Sequence, residues 1–170
     1  RAFKKFRSGV VHTQPYTLTM DELRAFLNYP FPTMRQRMVR DLFIFSFCTM
    51  GMNLTDIYQL QKKAVKKKGD TGEIKYIRDK TGKEIIVMMN AHATQLHNVI
   101  APYLTASRAN VWSKAVSSSR YFAFDAIYNK YQTFAGNIQK IVREVRTIMG
   151  FDDEFSFYTA RHTWSTLMSS

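Results

Sequence analysis

Arg161 and His162 stand side by side at the predicted start of an apolar helix, directly after a short aromatic stretch whose composition favours a strand. A guanidinium group binds a phosphate through two parallel N–H donors, and the N–H groups at the start of a helix also attract an anion. The alternative interpretation is an arginine that is partly buried and caps the helix. Residues 157–166 are therefore the first candidate for a phosphate-binding site.

This segment resembles the second arginine box of the tyrosine recombinases, the phage integrase family. Four of its residues match that box: Arg161, His162, Thr163 and Thr166. Trp164 stands for the usual aromatic residue, and Tyr158 occupies the place of the box's first histidine. The resemblance implies that Arg161 stabilises a phosphorane transition state, that Tyr158 donates a hydrogen bond to the phosphate and that His162 contacts DNA.

A β-hairpin is the second candidate segment. Residues 73–78 and 84–89 have β-forming compositions and flank a turn that contains glycine. They resemble the family's hairpin, in which a lysine of an Arg-x-Lys-Thr run enters the active site, and this implies that Lys80 is the general acid. Such an acid must protonate the leaving 5′-oxygen of DNA, because an alkoxide is a poor leaving group. Arg78 and Lys83 are then DNA contacts, and the alternative for Lys80 is an ordinary solvated turn lysine.

Residues 49–60 resemble the family's first arginine box only in part. Gly51, Asp56 and Leu60 match, whereas Asn53 stands where the family has an arginine. An amide offers a hydrogen bond without a charge, so this difference is expected to weaken transition-state stabilisation by several kcal/mol. Asn53 is alternatively the N-cap of the next helix. Either the phosphate cradle is built differently in this chain, or one of three arginines earlier in the chain compensates for the missing guanidinium: Arg35, Arg37 or Arg40.

The chain is strongly basic, which favours a polyanionic partner. Its 170 residues include 25 Lys and Arg against 13 Asp and Glu, a net charge of +12. We expect double-stranded DNA rather than a membrane, because no segment sets a wide apolar face against a lysine-rich one, and the apolar run 42–48 is too short to span a bilayer. The candidate DNA contacts, for which surface solvation is the alternative, are Lys62, Lys63, Lys66, Lys67, Lys68, Lys140 and Arg143.

Local signals place these candidates on a mainly α-helical domain with a small antiparallel β-sheet. A capping box joins Thr19 to Glu22, and the helix that it begins is expected to end before Pro30. A longer helix is expected over residues 33–50, and helical periodicity returns after the hairpin and again up to Gly150.

The resemblance extends over residues 16–170 and implies the fold of a recombinase catalytic domain. Residues 1–15 are expected to be a basic interdomain linker. The family's tyrosine nucleophile lies several helical turns beyond the second arginine box, and no tyrosine follows Tyr158. We therefore expect residues 16–170 to lack the C-terminal tyrosine segment and to bind DNA without cleaving it.

The expected function is site-specific recombination or integration of DNA by the integrase of a phage or mobile element, through a 3′-phosphotyrosyl intermediate.

No cofactor or metal is implied, and His92 and His97 are poorly spaced for a metal site on a helix. The single Cys48 indicates a packed thiol in a reducing compartment, here a bacterial cytoplasm with the protein at the nucleoid. The family works as a tetramer on DNA, whereas this fragment is expected to be a monomer.

Two alternatives stay open at this point. One is a DNA-binding relative of the family that has lost catalysis, with Asn53 as the symptom. The other is a basic helical RNA-binding or scaffold protein, which predicts that Lys80 and Arg161 lie far apart in the fold.

Overall fold

The structure is a computed structural model that describes residues 14–102 and 124–169. Helices α1 (Met20–Asn28) and α2 (Met34–Cys48) come first, followed by the short helix α3 (Leu54–Gln59) and a 3₁₀ turn at Lys62–Ala64. Within these residues the strands are β1 (Val65–Lys68), β2 (Thr71–Ile77) and β3 (Glu84–Met89). Helix α4 covers residues 91–102, α5 is Phe124–Met149 and α6 is Thr159–Ser169.

Capping boxes begin the first two helices. The Thr19 hydroxyl accepts from the N–H of Glu22 at 3.1 Å, and the Glu22 carboxylate accepts from the N–H of Thr19 at 3.0 Å. Thr33 and Gln36 form the same pair of bonds at the start of α2, at 3.2 and 3.4 Å. Each box satisfies backbone donors that a helix start leaves without partners, so both helices begin where the sequence predicts.

The apolar second half of α2 lies at the centre of the core. Its side chains from Leu42 to Phe45 are buried, and the helix packs against α1, α5 and α6. Phe26 of α1 contacts four rings edge-on, at centroid distances of 5.1 to 5.9 Å: Phe31, Phe43, Phe151 and Phe155. The expectation of a strand before α6 is wrong. Residues 151–158 form turns, because their aromatic rings pack on the helices and no strand of the described sheet lies beside them.

The strands form one antiparallel sheet in the order β1-β2-β3. Ile74 at its centre lies opposite Val65 on one side and Val87 on the other, and β2 with β3 is the predicted hairpin. The sequence does not predict β1, because lysine is a weak strand former and the run has no alternation of apolar residues. An edge strand tolerates such charges, which discourage pairing with other chains.

The prediction of a mainly helical domain with a small antiparallel sheet is confirmed. Cys48 is half-buried at the end of α2, and burial raises the pKa of its thiol to about 11, so the thiol stays protonated at neutral pH. In the described part of the chain, no helix combines the length and apolar character needed to cross a membrane. Residues 1–13 of the expected linker lie outside the described residues.

Candidate functional site

A cleft of about 420 Å³ brings the candidate segments together. Arg161 lines it from the first turn of α6, Lys80 from the tip of the β2–β3 hairpin, and Asn53 from the residue before α3. Tyr158 and Asp56 also line the cleft. The scaffold-protein alternative is wrong in its one structural prediction, because Lys80 and Arg161 line the same cleft and do not lie far apart.

The side chain of Arg161 is held at both ends. Its Nη1 donates to the carboxamide oxygen of Asn53 at 3.4 Å, across 108 positions of sequence. Its stem lies against Gly51, where an added Cβ would come within 2.7 to 2.8 Å of the Cα, Cβ and Cγ atoms of Arg161. Gly51 has a φ of +74°, a conformation that residues with a side chain rarely adopt. Glycine is therefore needed at this position both for the turn and for the close approach of α6.

Asn53 occupies the N-cap position of α3, yet its side chain makes no capping hydrogen bond. Its backbone is extended, with φ −66° and ψ 151°, as in an ordinary N-cap residue. The N-cap alternative is thus right about the position and wrong about the side chain. The carboxamide is directed to Arg161 instead.

Lys80 lies at the exposed tip of the hairpin, and backbone hydrogen bonds close that tip. The N–H of Arg78 donates to the carbonyl of Lys83 at 2.8 Å. The N–H of Asp79 donates to the carboxylate of Asp56 at 3.0 Å, which anchors the tip on α3. Lys80 therefore reaches the cleft without being buried.

Asp56 is a buried carboxylate beneath the cleft, with 4% of its surface exposed. Burial raises the pKa of this carboxyl group, and the nearby charge of Asp79 adds to that effect. The N–H of Asp79 and the positive charges of Arg78 and Arg161 act in the opposite direction. Burial and the charge of Asp56 likewise raise the pKa of the Tyr76 phenol. The cationic site thus lies over a buried carboxylate whose negative charge attracts the nearby guanidinium groups of Arg78 and Arg161.

Tyr158 lines the cleft with 44% of its surface exposed. The N–H of Arg161 donates to the carbonyl of Tyr158 at 3.1 Å, so the two residues lie one helical turn apart at the start of α6. The ring of His162 lies 5.4 Å from the Tyr158 ring at a tilted angle, and His162 is half-buried beside the cleft. Tyr158, just before α6, and Arg161, in its first turn, therefore line the same cleft.

The model of the Phage integrase family matches residues 16–170. The chain belongs to the phage integrase family. The resemblance that begins at Arg161 is therefore confirmed, and it covers the cleft and all the elements that form it. None of the curated proteins matches the chain.

The fold of this integrase-family chain matches solved structures of the XerH site-specific recombinase. One shows XerH bound to the difH substrate in a pre-cleavage complex, and another shows it bound to palindromic difH in a post-cleavage complex. The TM-scores are 0.57 and 0.56, each with 20% sequence identity over 91% of this chain. The chain spans 43% and 42% of the length of the XerH chain in those two structures. The fold is therefore that of a tyrosine recombinase.

The lysine run of this integrase-family chain lies mainly on β1, outside the cleft. Side chains alternate along a strand, so Lys66 and Lys68 point to one face of the sheet and Lys67 points to the other. The ammonium group of Lys67 binds the carboxamide oxygen of Asn98 on α4. The exposed cations on the described surface include Lys63, Lys66, Lys68, Lys83, Lys140 and Arg143. The side chain of Lys62 lies outside the described residues.

The three arginines that are candidates to compensate for the missing guanidinium do not line the cleft. Arg37 donates to the carbonyl of Phe31 at 2.7 Å, and Arg40 donates to the carbonyl of Tyr29 at 2.8 Å. Arg35 is exposed at the start of α2. Of the two alternatives, compensation by these arginines is therefore not seen, because the loop between α1 and α2 offers carbonyl groups that bind two of the side chains.

The sequence does not predict the part that α5 takes in the cleft. Tyr131, Ala135 and Ile138 line one wall, and the Thr55 hydroxyl donates to the Tyr131 hydroxyl at 2.7 Å. Their spacing along a helix is the signal that places them on one face. That same spacing is equally typical of core packing, so it does not indicate a site.

No group of three or more His, Cys, Asp or Glu side chains is placed to hold a metal ion within residues 14–102 and 124–169. His92 is exposed, whereas His97 is half-buried with its ring 6.0 Å from that of Phe45. Burial, with the charge of Lys67, lowers the pKa of His97 to about 4, so its ring is neutral at pH 7.

Proposed function

We propose that residues 16–170 are the phosphate-binding part of a site-specific tyrosine recombinase that integrates or recombines the DNA of a phage or mobile element. The observation that carries this proposal is that Lys80 and Arg161 line one cleft. The guanidinium group suits the equatorial oxygens of a phosphorane, and the ammonium group is a movable proton donor. Membership of the phage integrase family supports the same chemistry.

In the proposed reaction, a tyrosine hydroxyl attacks the phosphorus of one backbone phosphodiester and releases its proton to solvent. A 3′-phosphotyrosyl ester forms as the bond between phosphorus and the 5′-oxygen breaks. Lys80 gives a proton to that oxygen, which leaves as a hydroxyl group. The 5′-hydroxyl of a partner strand then reverses these steps, so the energy of the broken bond is retained in the ester.

The other residues of the cleft bind the reacting phosphate. Arg161 donates to its non-bridging oxygens and stabilises the extra charge of the phosphorane. Tyr158 donates one more hydrogen bond from its hydroxyl group. The attacking tyrosine lies outside residues 16–170 in this proposal, because the family pattern places it several helical turns beyond Arg161.

Basic side chains outside the cleft bind the flanking DNA backbone in this proposal. Lys66 and Lys68 follow one strand from the edge of the sheet, Arg78 and Lys83 contact DNA near the hairpin tip, and His162 does so beside the cleft. Residues 16–170 alone bind DNA as a monomer without cleaving it. The complete protein assembles as a tetramer on DNA at the bacterial nucleoid.

Strand cleavage by the complete protein tests the proposal on a nicked suicide substrate, with the covalent adduct measured on a denaturing gel. Lys80→Ala is expected to slow adduct formation by about 10²- to 10⁴-fold. A substrate with sulfur in place of the leaving 5′-oxygen should restore the rate of Lys80→Ala, because a thiolate leaves without a proton. The same substrate should not restore Arg161→Ala, which lacks the phosphate contact.

Arg24→Ala on the exposed side of α1 is the matched control and should cleave at the normal rate. A Lys80→Ala protein that cleaves the ordinary substrate at the normal rate would contradict the proposed role of Lys80. Full DNA affinity in Arg161→Ala would contradict the proposal that the cleft binds a DNA phosphate.

The second candidate function is DNA binding without catalysis. Asn53 favours it, because the first-box position carries no charge and no other described arginine takes its place in the cleft. In that case the complete protein forms no adduct on the suicide substrate, while Arg161→Ala still weakens DNA binding.

A further inference from the structure

Asn53 directs its side chain to Arg161 and not to its own helix. An asparagine at an N-cap ordinarily accepts a hydrogen bond from an N–H in the first helical turn, which stabilises the helix. In this chain that bond is not made, and the carboxamide oxygen lies 3.4 Å from Nη1 of Arg161. The lost capping bond is an observation that α3 alone does not explain.

The acidic neighbour of Arg161 has a different partner. Asp56 interacts with Arg161 through its charge, but its carboxylate oxygen accepts from the N–H of Asp79. Asn53, and not Asp56, therefore supplies the oxygen that accepts from the guanidinium group of Arg161, and this oxygen is neutral. A neutral oxygen orients a guanidinium group without cancelling its charge, so the full positive charge remains for a bound anion.

Gly51 and Asn53 act on the two ends of the same side chain. The close contact at Gly51 sets the position of the Arg161 stem, and the carboxamide sets the direction of its head. An arginine side chain otherwise has many rotamers, and ordering it on binding weakens affinity. A head that is already oriented binds a phosphate without that loss.

We propose that Asn53 is a positioning residue, whose carboxamide oxygen orients the guanidinium group of Arg161 toward a DNA phosphate. Asn53, at the position of the first-box arginine, then orients Arg161 of the second box and contributes no charge of its own. This inference rests on the proposed function, since it takes the anion to be a phosphodiester of DNA.

The first measurement is the order of the Arg161 side chain without DNA, from the ¹⁵N–¹H signal of its Nε in the 170-residue chain. Asn53→Ala should make this signal as mobile as that of a solvent-exposed arginine. Asn53→Asp keeps an acceptor of the same shape and should leave the signal ordered. Asn137→Ala removes an exposed carboxamide on α5 and should change nothing.

The second measurement is affinity for a short fluorescein-labelled DNA duplex, by fluorescence anisotropy. Asn53→Ala should weaken binding by about 3- to 10-fold, the effect of one modest hydrogen bond. Asn53→Asp should weaken binding more, because its carboxylate cancels the charge of Arg161 and repels the phosphate. A thermal melt of each variant separates these effects from loss of the fold.

An ordered Arg161 signal in Asn53→Ala overturns the inference, and so does normal DNA affinity in Asn53→Asp. Failure of the proposed function gives a different pattern: Arg161→Ala would bind DNA as the unaltered chain does, while Asn53→Ala would still make the Arg161 signal mobile. The two measurements therefore test the inference and the proposed function separately.

Discussion

The backbone N–H of Asp79 donates to the buried carboxylate of Asp56 at 3.0 Å. Asp79 immediately precedes Lys80, and Asp56 lies within α3, directly after the segment that holds Arg161. This hydrogen bond fixes the position of the hairpin tip on α3, and the residues just before α3 contact Arg161 at the start of α6. The hairpin tip that carries Lys80 is positioned through a carboxylate contact, whereas Arg161 is positioned by Gly51 and by the carboxamide of Asn53.

We expect Asp56→Asn to alter the pH dependence of stability. Burial raises the pKa of Asp56 above its ordinary value of 3.8, so the native state holds this proton to a higher pH than the unfolded chain does. Ionisation of Asp56 therefore costs stability as the pH rises from 3.8 through the folded-state pKa. Since asparagine does not ionise, the free energy of unfolding of the variant should increase relative to the unaltered chain across that window. Urea denaturation at several pH values measures this difference.

Asp56→Ala is the matched comparison, because it removes the same ionisable group and also the acceptor for Asp79. Its stability should follow a parallel curve that lies below that of Asp56→Asn by about 1–3 kcal/mol, the cost of a buried donor left without a partner. Coincident curves for the two variants would show that the bond from Asp79 contributes nothing to stability.

Local patterns predict most of the helices and the hairpin in this chain. The Thr19 and Glu22 capping box and the glycine-containing turn each depend on residues a few positions apart, so the sequence alone specifies them. The family resemblance, and not the spacing, predicts the approach of Lys80 and Arg161. No local rule brings together residues so far apart in sequence.

The features that the sequence does not predict all depend on tertiary contacts. β1 forms because β2 offers it backbone partners, although its lysines have little tendency to form a strand. Asn53 gives up its capping bond for a partner 108 positions away. Residues 151–158 are turns because Phe26 and its neighbours bind their aromatic rings. In each case a distant partner overrides the local preference.

The lysines of β1 should differ in their contribution to DNA binding. All three are exposed, but Lys66 and Lys68 lie on one face of the sheet and Lys67 lies on the other, where its ammonium group binds Asn98 on α4. Replacing Lys66 and Lys68 together by alanine should reduce the slope of log affinity against log salt by about 2, since each phosphate contact contributes roughly 0.9. Lys67→Ala should leave the slope nearly unchanged. Anisotropy titrations over a range of salt concentrations measure both, and equal effects of the three lysines would contradict the assignment of faces.

Thr163 should stabilise the junction between the start of the described chain and α6. Its hydroxyl is fully buried and accepts from the N–H of Leu18 at 3.0 Å. Thr163→Val keeps the shape but removes the acceptor, so it should lower the free energy of unfolding by about 1–3 kcal/mol. Hydrogen exchange gives a direct readout, because the Leu18 amide should lose its protection in Thr163→Val. Thr163→Ser keeps the hydroxyl group and should keep that protection, and loss in both variants would assign the protection to packing alone.

Gly51 and Gly150 form a matched pair for measuring how closely α6 approaches the end of α2. Both have positive φ, +74° and +67°, but only Gly51 has Arg161 atoms within 3 Å of an added Cβ, while Gly150 has nothing within 4 Å. Alanine at Gly150 should cost about 1–2 kcal/mol through its backbone conformation. Alanine at Gly51 carries the same backbone cost and a further 1–3 kcal/mol, roughly, because α6 must move. The gain from a stiffer unfolded chain is common to both variants, so the difference between their unfolding free energies isolates the contact.

Gly51→Ala should also weaken DNA binding, since Arg161 moves with α6. Equal destabilisation by the two variants, with unchanged DNA affinity, would show that the position of α6 does not depend on its close contact with Gly51.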